Sequence, residues 1–349
     1  MSVSHNEKSL LDYLSKVDGK HACIIISKFI ENAKEIEADF VANKGKILLC
    51  AVSEHIENAG VHSGDASIVF PPQRVYLETI RKIKNACQRI AAALKITGPA
   101  NIQFLARDNQ IMVIECNLRA SRTFPFISKM CNHNFIETAT NVLIGNKVIV
   151  NNHFLDANFV GIKVPQFSFS RLKEVDPVLR VEMASTGEVA CLGDDVEEAY
   201  LKAIIAADQH LPRKTVLLSL GGEENKIRFL EEAKLLSEIG LKIYATHKTC
   251  EFLNKNKIPT EKLYKIHEKE EPNIATFLAQ KKLDLVININ DQGYLPKDAA
   301  EDDYKIRRNT VDFGIPLITN LQAAKLFVQA FSKKKEKDLL IKSYEKYLV

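Results

Sequence analysis

NIQFLARDNQIMVIECN, residues 101–117, is the stretch on which the reading turns. It divides into two apolar-rich runs, 101–105 and 111–117, around Arg107-Asp108-Asn109, and polar turn residues between strand-like runs predict a hairpin. Side chains alternate along a strand, so Glu115 and Asn117 share a face and the short turn brings Gln103 alongside them. A carboxylate with two amide oxygens is a donor set for a hard cation such as Mg2+, which usually takes its remaining ligands from water and nucleotide phosphates. Arg119 and Arg122 follow at once, placing two guanidinium groups beside the same phosphates, where they suit charge on a transferring group. Each residue alone fits a solvated strand end with surface ion pairs. Together they point to phosphoryl transfer, with Gln103, Glu115 and Asn117 as metal ligands and Arg119 and Arg122 as catalytic cations.

Working upstream, residues 35–42 alternate acidic and apolar side chains before the turn Asn43-Lys44-Gly45 and a second strand at 47–52. This predicts a half-buried antiparallel hairpin with Glu35, Glu37 and Asp39 on one face and Ile36, Ala38 and Phe40 on the other. CIIISKF, residues 23–29, reads as a short apolar strand. GVHSGD, residues 60–65, sets two glycines around polar groups, which lets a backbone approach a phosphate closely, although a lone histidine there also fits an ordinary loop. Residues 77–94 repeat apolar side chains every three or four positions, an amphipathic helix with Glu78 and Lys82 paired on its outer face. A loop and helix at 125–143, short strands within 159–189 and a helix at 194–208 complete this unit.

Past residue 212 the texture changes. Apolar strands at 215–220, 242–246, 284–288 and 316–319 alternate with helices at 226–239, 272–281 and 321–331, the pattern of a doubly wound parallel sheet. The expectation is an α/β chain of two domains, 1–212 and 213–349. The closing run KKKEKDLLIKSYEKYLV is expected to be a solvated helix.

Composition agrees with a folded globular chain: 349 residues, 46% hydrophobic, 26% charged, more than one domain of roughly 100–200 residues uses. A net charge of +4 without a basic stripe gives no nucleic-acid footprint. No apolar run approaches the roughly 18 residues a membrane span needs. Seven scattered cysteines without a CxxC pair or a secretory leader are expected to be reduced thiols in a reducing compartment. The histidines show no metal-ligand spacing.

AGVHSGDASIVFPP (59–72), NIQFL (101–105), IECNLRASRTFPFISK (114–129) and VEMASTGEVACLG (181–193) resemble the second ATP-grasp domain of the carbamoyl-phosphate synthetase large subunit. THKT, YKIHE, LVININ, DDYKIRR and GIPLITN, from 246 onward, resemble its regulatory domain, which is named for its similarity to methylglyoxal synthase. The resemblance implies ATP- and Mg2+- or Mn2+-dependent phosphorylation of carbamate. It implies that Ile30 and Glu35 hold adenine and ribose and that Gly60, Val61, His62 and Ser63 line the nucleotide. Gln103 and Glu115 then meet nucleotide and metal together, and Lys28 stands where bacterial members have arginine. It implies as partners the rest of the synthetase, with a glutaminase or an ammonia source. The family's domain begins upstream with a small subdomain and a glycine-rich loop, so the isolated chain is expected not to complete the synthesis. Compartment stays open between cytoplasm and mitochondrion.

For the regulatory part the resemblance implies an effector site of Lys226, Thr246, Thr249, Lys265 and Asn288, and two lysines and two hydroxyls at strand ends suit an anion. Asn290 and Asp303 replace a threonine and a serine of bacterial, nucleotide-binding members, and Asp291 adds charge. Against the animal members that bind N-acetylglutamate, Lys265 replaces a tryptophan, and Asp291 and Asp303 replace asparagines. Nucleotide and N-acetylglutamate both remain open as effectors. Three other readings stand beside this one: a different ATP-grasp carboxylate ligase, a noncatalytic regulatory or assembly module, and a methylglyoxal-synthase-like elimination using Asp291 or Asp303.

Overall fold

The computed structural model describes residues 3–4, 6–16, 24–150, 154–172, 174–290 and 297–348, with side chains left undescribed at 297–300. The first part contains α1 (Glu7–Leu14), β1 (Lys34–Asn43), β2 (Lys46–Asn58), β3 (Ile68–Phe70), α2 (Leu77–Ala93), β4 (Gly98–Arg107), β5 (Gln110–Asn117), α3 (Phe124–Met130), α4 (Phe135–Leu143), β6 (Val160–Gln166), β7 (Gly187–Gly193) and α5 (Val196–Ala206). Its seven strands form one sheet in the order β5-β4-β1-β2-β3-β6-β7, antiparallel throughout. Both expected hairpins form. Lys44 and Gly45, and likewise Asp108 and Asn109, adopt positive φ in two-residue turns, the backbone hand that matches strand twist.

One face of the sheet carries Ile36, Ala38 and Phe40 against Ile83, Cys87 and Ala91 of α2. The opposite face is divided along the strands. Val41, Leu49, Ala51, Ile68 and Phe70 pack under Phe124, Ile127, Met130 and Phe135 of α3 and α4, whereas the other half of that face is polar. The β1–β2 hairpin is therefore not half-buried. Glu35, Glu37 and Asp39 are 5%, 1% and 0% exposed, because β4 and β3 flank the hairpin and the chain after β5 crosses its acidic side.

The second part contains β8 (Thr215–Leu220), α6 (Glu223–Arg228), α7 (Leu230–Glu238), β9 (Lys242–Ala245), α8 (His247–Lys255), β10 (Thr260–Lys262), α9 (Ile274–Ala279), β11 (Leu285–Ile289), α10 (Lys297–Asp312), β12 (Leu317–Ile318) and α11 (Leu321–Lys333). Its strands are parallel in the order β10-β9-β8-β11-β12, the doubly wound arrangement expected. Val216, Leu218 and Leu220 face one way, toward Phe229, Ala233 and Phe327. Leu217 and Val286 face the other, toward Ile274, Leu278 and Ile306. The first of these cores continues through Ala199 and Leu201 of α5 to Ile56 and Ile162 of the seven-stranded sheet.

Several expectations are corrected. Residues 24–29 form no strand; they gain no partner in either sheet, and Ile25 and Ile26 are 88% and 63% exposed, while Cys23 lies outside the described residues. The helix expected at 226–239 breaks at Phe229, whose φ of −103° interrupts it. Glu78 pairs with Arg81 at 3.8 Å, and Lys82 instead donates to the Asn109 carbonyl at the hairpin tip. The C-terminal run makes two 3-10 turns rather than a helix, and Tyr347 packs on Phe159 with ring centroids 5.4 Å apart. Among the described residues the six cysteines are free, and no helix is long and apolar enough to cross a membrane.

Candidate functional site

The register of the sheet assembles the polar half of its face. Gln103 lies opposite Glu37 on one side and Glu115 on the other, and Asn101 lies between Asp39 and Asn117 in the same way. Directly opposed residues of antiparallel strands share a face, so Glu37-Gln103-Glu115 and Asp39-Asn101-Asn117 make two rows across three strands. A bulge decides this. Phe104 pairs with Val113 but Gln103 pairs with Glu115, so Ile114 is the extra residue, and without it Glu115 and Asn117 would turn to the opposite face.

Glu115 is exposed and accepts a hydrogen bond from Asn117 Nδ2 at 2.7 Å. Gln103 turns its Nε2 toward Glu37 Oε1 at 3.5 Å. Both amides thus spend their NH2 groups on carboxylates and keep their oxygens for another partner, which fits a hard cation. Among the described residues no three His, Cys, Asp or Glu side chains could hold a metal. A cation here would take most of its oxygens from phosphate and water.

Behind this row lies a buried charge system. His55 Nε2 is 3.0 Å from Glu37 Oε1, and its Nδ1 is 3.9 Å from Glu35 Oε1. Burial opposes a charged imidazole, but the charge of Glu35 and the hydrogen bond and charge of Glu37 prevail and raise His55 to about 9. Burial would also raise Glu37, yet the His55 hydrogen bond and charge hold it below the usual range. Asp39 is pushed up to about 7 by burial and by the Glu37 charge. Lys163, 2% exposed, pairs with Glu188 at 2.9 Å.

These acids also grip the chain that carries the arginines. Ser121 Oγ donates to Asp39 Oδ1 at 2.7 Å, Asn101 Nδ2 donates to the same oxygen at 2.8 Å, and Thr123 Oγ1 donates to Glu37 Oε2 at 3.3 Å. Arg119 and Arg122 stand on either side of Ser121, both exposed. Arg119 donates to the Ala120 carbonyl and Arg122 to the Met183 sulfur. Neither forms an ion pair among the described residues.

The loop 60–65 leaves the end of β2 on the same side of the sheet. Gly60 has φ +110°, a conformation that favours glycine, and the Phe29 ring covers the place a Cβ would occupy, 3.5 Å away. This brings the segment of Lys28, exposed, and Ile30, half-buried, to the loop. Val61 is buried, while His62 and Ser63 are half-buried, and His62 Nδ1 accepts from the Gly64 N–H at 3.0 Å. Glu35 joins the group from β1, next to His55.

The second set of expected residues gathers at the carboxyl ends of β8, β9 and β11, where the strand order reverses. Thr246 and Thr249 are 6% and 0% exposed, and the Thr249 hydroxyl is engaged with the Leu220 N–H at 3.2 Å. Asn288 is 1% exposed with its Nδ2 lacking a hydrogen-bond partner among the described residues. Lys226 pairs with Glu223 at 2.7 Å, and Lys265 lies 3.9 Å from Asp302, which also meets His267 Nδ1 at 2.5 Å. Burial pushes Asp303 up against the opposing charges of Lys265 and Arg307. Asp291 lies outside the described residues.

Residues 1–149 match the family model for the carbamoyl-phosphate synthase L chain ATP binding domain, and residues 228–319 match the MGS-like domain. The chain carries a carbamoyl-phosphate synthase ATP-binding domain and an MGS-like domain. Multifunctional protein pyr-3 of Neurospora crassa is 44% identical over 99% of the chain, which spans 19% of that protein. The human carbamoyl-phosphate synthase [ammonia], mitochondrial, is 41% identical over 95% of the chain, which spans 22% of it. The chain thus spans about a fifth of the length of these curated relatives. A solved structure, the biotin carboxylase subunit of pyruvate carboxylase, aligns over 51% of this chain and 46% of its own, at 14% identity and a TM-score of 0.41.

Within the ATP-binding domain, sequence reading missed His55, Lys163, Asn101 and Ser121. His55 is two residues from Glu57 on the strand paired with the acidic one, and that spacing was the available signal. Lys163 carried none, because β6 reaches the site only through the order of the sheet.

Proposed function

We propose that the ATP-binding domain holds ATP with Mg2+ or Mn2+ at Gln103, Glu115 and Asn117, and that the whole enzyme uses this site to phosphorylate carbamate to carbamoyl phosphate. The observation that carries the reading is the pair of cross-sheet rows ending at Glu115 and Asn117, with two exposed guanidinium groups immediately beyond. A cation held by these residues would supply charge neutralisation for the nucleotide phosphates. Arg119 and Arg122 then face the phosphoryl group and the carbamate, their donors aimed at charge that grows in the transition state. Glu35 and Ile30 hold the nucleoside, Lys28 adds positive charge, and residues 60–63 supply backbone contacts. His55 and Lys163 balance the acids behind the metal row, so that Glu37 stays ionised to orient the amide of Gln103.

The functional division falls at 212/213. The MGS-like domain takes a small effector, a nucleotide or N-acetylglutamate, at Lys226, Thr246, Thr249, Lys265 and Asn288. Further partners are the rest of the synthetase and its glutaminase or ammonia source. Calorimetric titration of ATP into the purified chain, with Mg2+ and with EDTA, tests the nucleotide reading. Binding that needs the cation and disappears in Glu115→Ala supports it; equal binding in all three cases refutes it.

A further inference from the structure

The connection from β6 to β7, residues 167–172 and 174–186, is tied to both ends of the molecule. Its first half is fastened to α10. Arg307, 2% exposed, gives Nε and Nη2 to the two carboxylate oxygens of Asp176 at 2.7 and 2.8 Å. Its Nη1 goes to Asn288 Oδ1 at 2.9 Å and Asn290 Oδ1 at 2.6 Å, inside the proposed effector site. Arg308 donates to the carbonyls of Phe169, Leu172 and Val175 at 3.0, 3.1 and 3.0 Å.

The second half is fastened to the nucleotide loop. Arg180 returns to Asp176 at 3.2 Å, and its carbonyl accepts the His62 N–H at 2.8 Å. Asp65 accepts the N–H groups of Ala184 and Ser185 at 2.8 and 2.9 Å, and Ser185 Oγ donates to the Gly64 carbonyl at 3.1 Å. Met183 completes the tie, its sulfur 2.9 Å from Arg122 Nη1 and 2.9 Å from where a methyl on Gly64 would lie.

Asp176 is the joint. One carboxylate binds the guanidinium that holds Asn288 and also the arginine whose carbonyl holds His62. Arg180 is four positions on from Asp176, a reach of at most about 14 Å, and Pro177 stiffens the span. A planar guanidinium held at four acceptors does not shift at one of them alone.

We propose that Arg307 and Arg308 are positioning residues for the nucleotide end, holding residues 60–65 and Arg122 in place through this strap. The functional consequence rests on the nucleotide reading above; the mechanical tie does not, and the test separates them.

Amide hydrogen exchange on the whole chain without ligand compares wild type, Arg307→Lys and Asp176→Asn. The amides of His62, Ala184 and Ser185 are expected to exchange at least tenfold faster in both variants, while β8 and β11 keep their wild-type rates. Mg·ATP affinity is expected to fall about fivefold alongside, and combining the two substitutions to add little beyond either one. Strap amides at 174–176 and 178 released with His62, Ala184 and Ser185 unchanged would overturn the tie. Faster exchange at His62 in a chain that binds no Mg·ATP even as wild type would sustain the tie and sink the nucleotide reading instead.

Discussion

Two ends of this chain gather cations where an anion is expected, and they hold them differently. At the nucleotide end Arg119 and Arg122 are exposed and make no ion pair among the described residues, while the acids sit back in the sheet against His55 and Lys163. At the effector end Lys226 is paired with Glu223, Lys265 lies near Asp302, and Arg307 is locked to Asp176. A phosphate approaching the first end meets free donors. One approaching the second must displace carboxylates from theirs, which removes much of the gain from charge-assisted hydrogen bonds. If the two proposed sites bind as suggested above, this contrast predicts tight nucleotide binding at the first end and weaker, more selective anion binding at the second.

The largest effect expected from breaking this contrast lies in the buried charges of the first end. His55→Gln leaves Glu37 and Glu35 without their partner, and thermal or urea unfolding should show a loss of about 3–5 kcal/mol near neutral pH. Wild type should show the matching pH dependence. His55 has a folded pKa near 9 against 6.5 for the free side chain, so its contribution, about 3 kcal/mol, is complete below pH 6.5 and fades as pH rises through 9. Asp39, raised from 3.8 to about 7, acts in the same direction at lower pH, its contribution fading between those values. Stability that climbs from pH 6.5 to 9 would contradict the arrangement.

Next comes the open pair of arginines. Arg122→Ala should weaken Mg·ATP binding about 10- to 100-fold, the worth of a charged hydrogen bond of roughly 1.5–3 kcal/mol, with Arg122→Lys retaining part of it. Unchanged calorimetric affinity in Arg122→Ala would remove the proposed difference between the two ends. The smallest effect, and the one that sharpens the comparison most, is at the effector end. Asp302→Asn and Asp303→Asn should each raise affinity for UMP about three- to tenfold by releasing Lys265 and lowering the negative charge. A decrease in either variant would mean that these carboxylates contact the effector directly.

How much of this was legible beforehand differs between the same two regions. The hairpins, the common face of Glu115 and Asn117 and the alternation of strands and helices after residue 213 follow from local periodicity and turn residues, and they form; that Gln103 shares that face depends on the bulge. The bulge at Ile114 had no separate signal, yet the two-residue spacing of Glu115 and Asn117 was enough to place them together. Burial of Glu35, Glu37 and Asp39 was not legible, because it depends on β4 and β3 flanking the hairpin and on Ser121 and Thr123 crossing its acidic side from more than 80 residues away. The strap escaped for the same reason: no local pattern ties Asp176 to Arg307. Residues 24–29 misled because an apolar run predicts a strand only where a sheet edge accepts it. The C-terminal run misled because its helical spacing is outweighed by docking of Tyr347 on Phe159.

Anomalous diffraction from crystals of the chain grown with Mn2+ and a nonhydrolysable ATP analogue tests the central claim most directly. The account predicts a manganese peak within about 2–2.5 Å of a Glu115 carboxylate oxygen, with the Asn117 and Gln103 amide oxygens turned toward it and the phosphates between the cation and Arg122. A well-ordered analogue whose manganese lies elsewhere, with Glu115 still bonded only to Asn117, would contradict it.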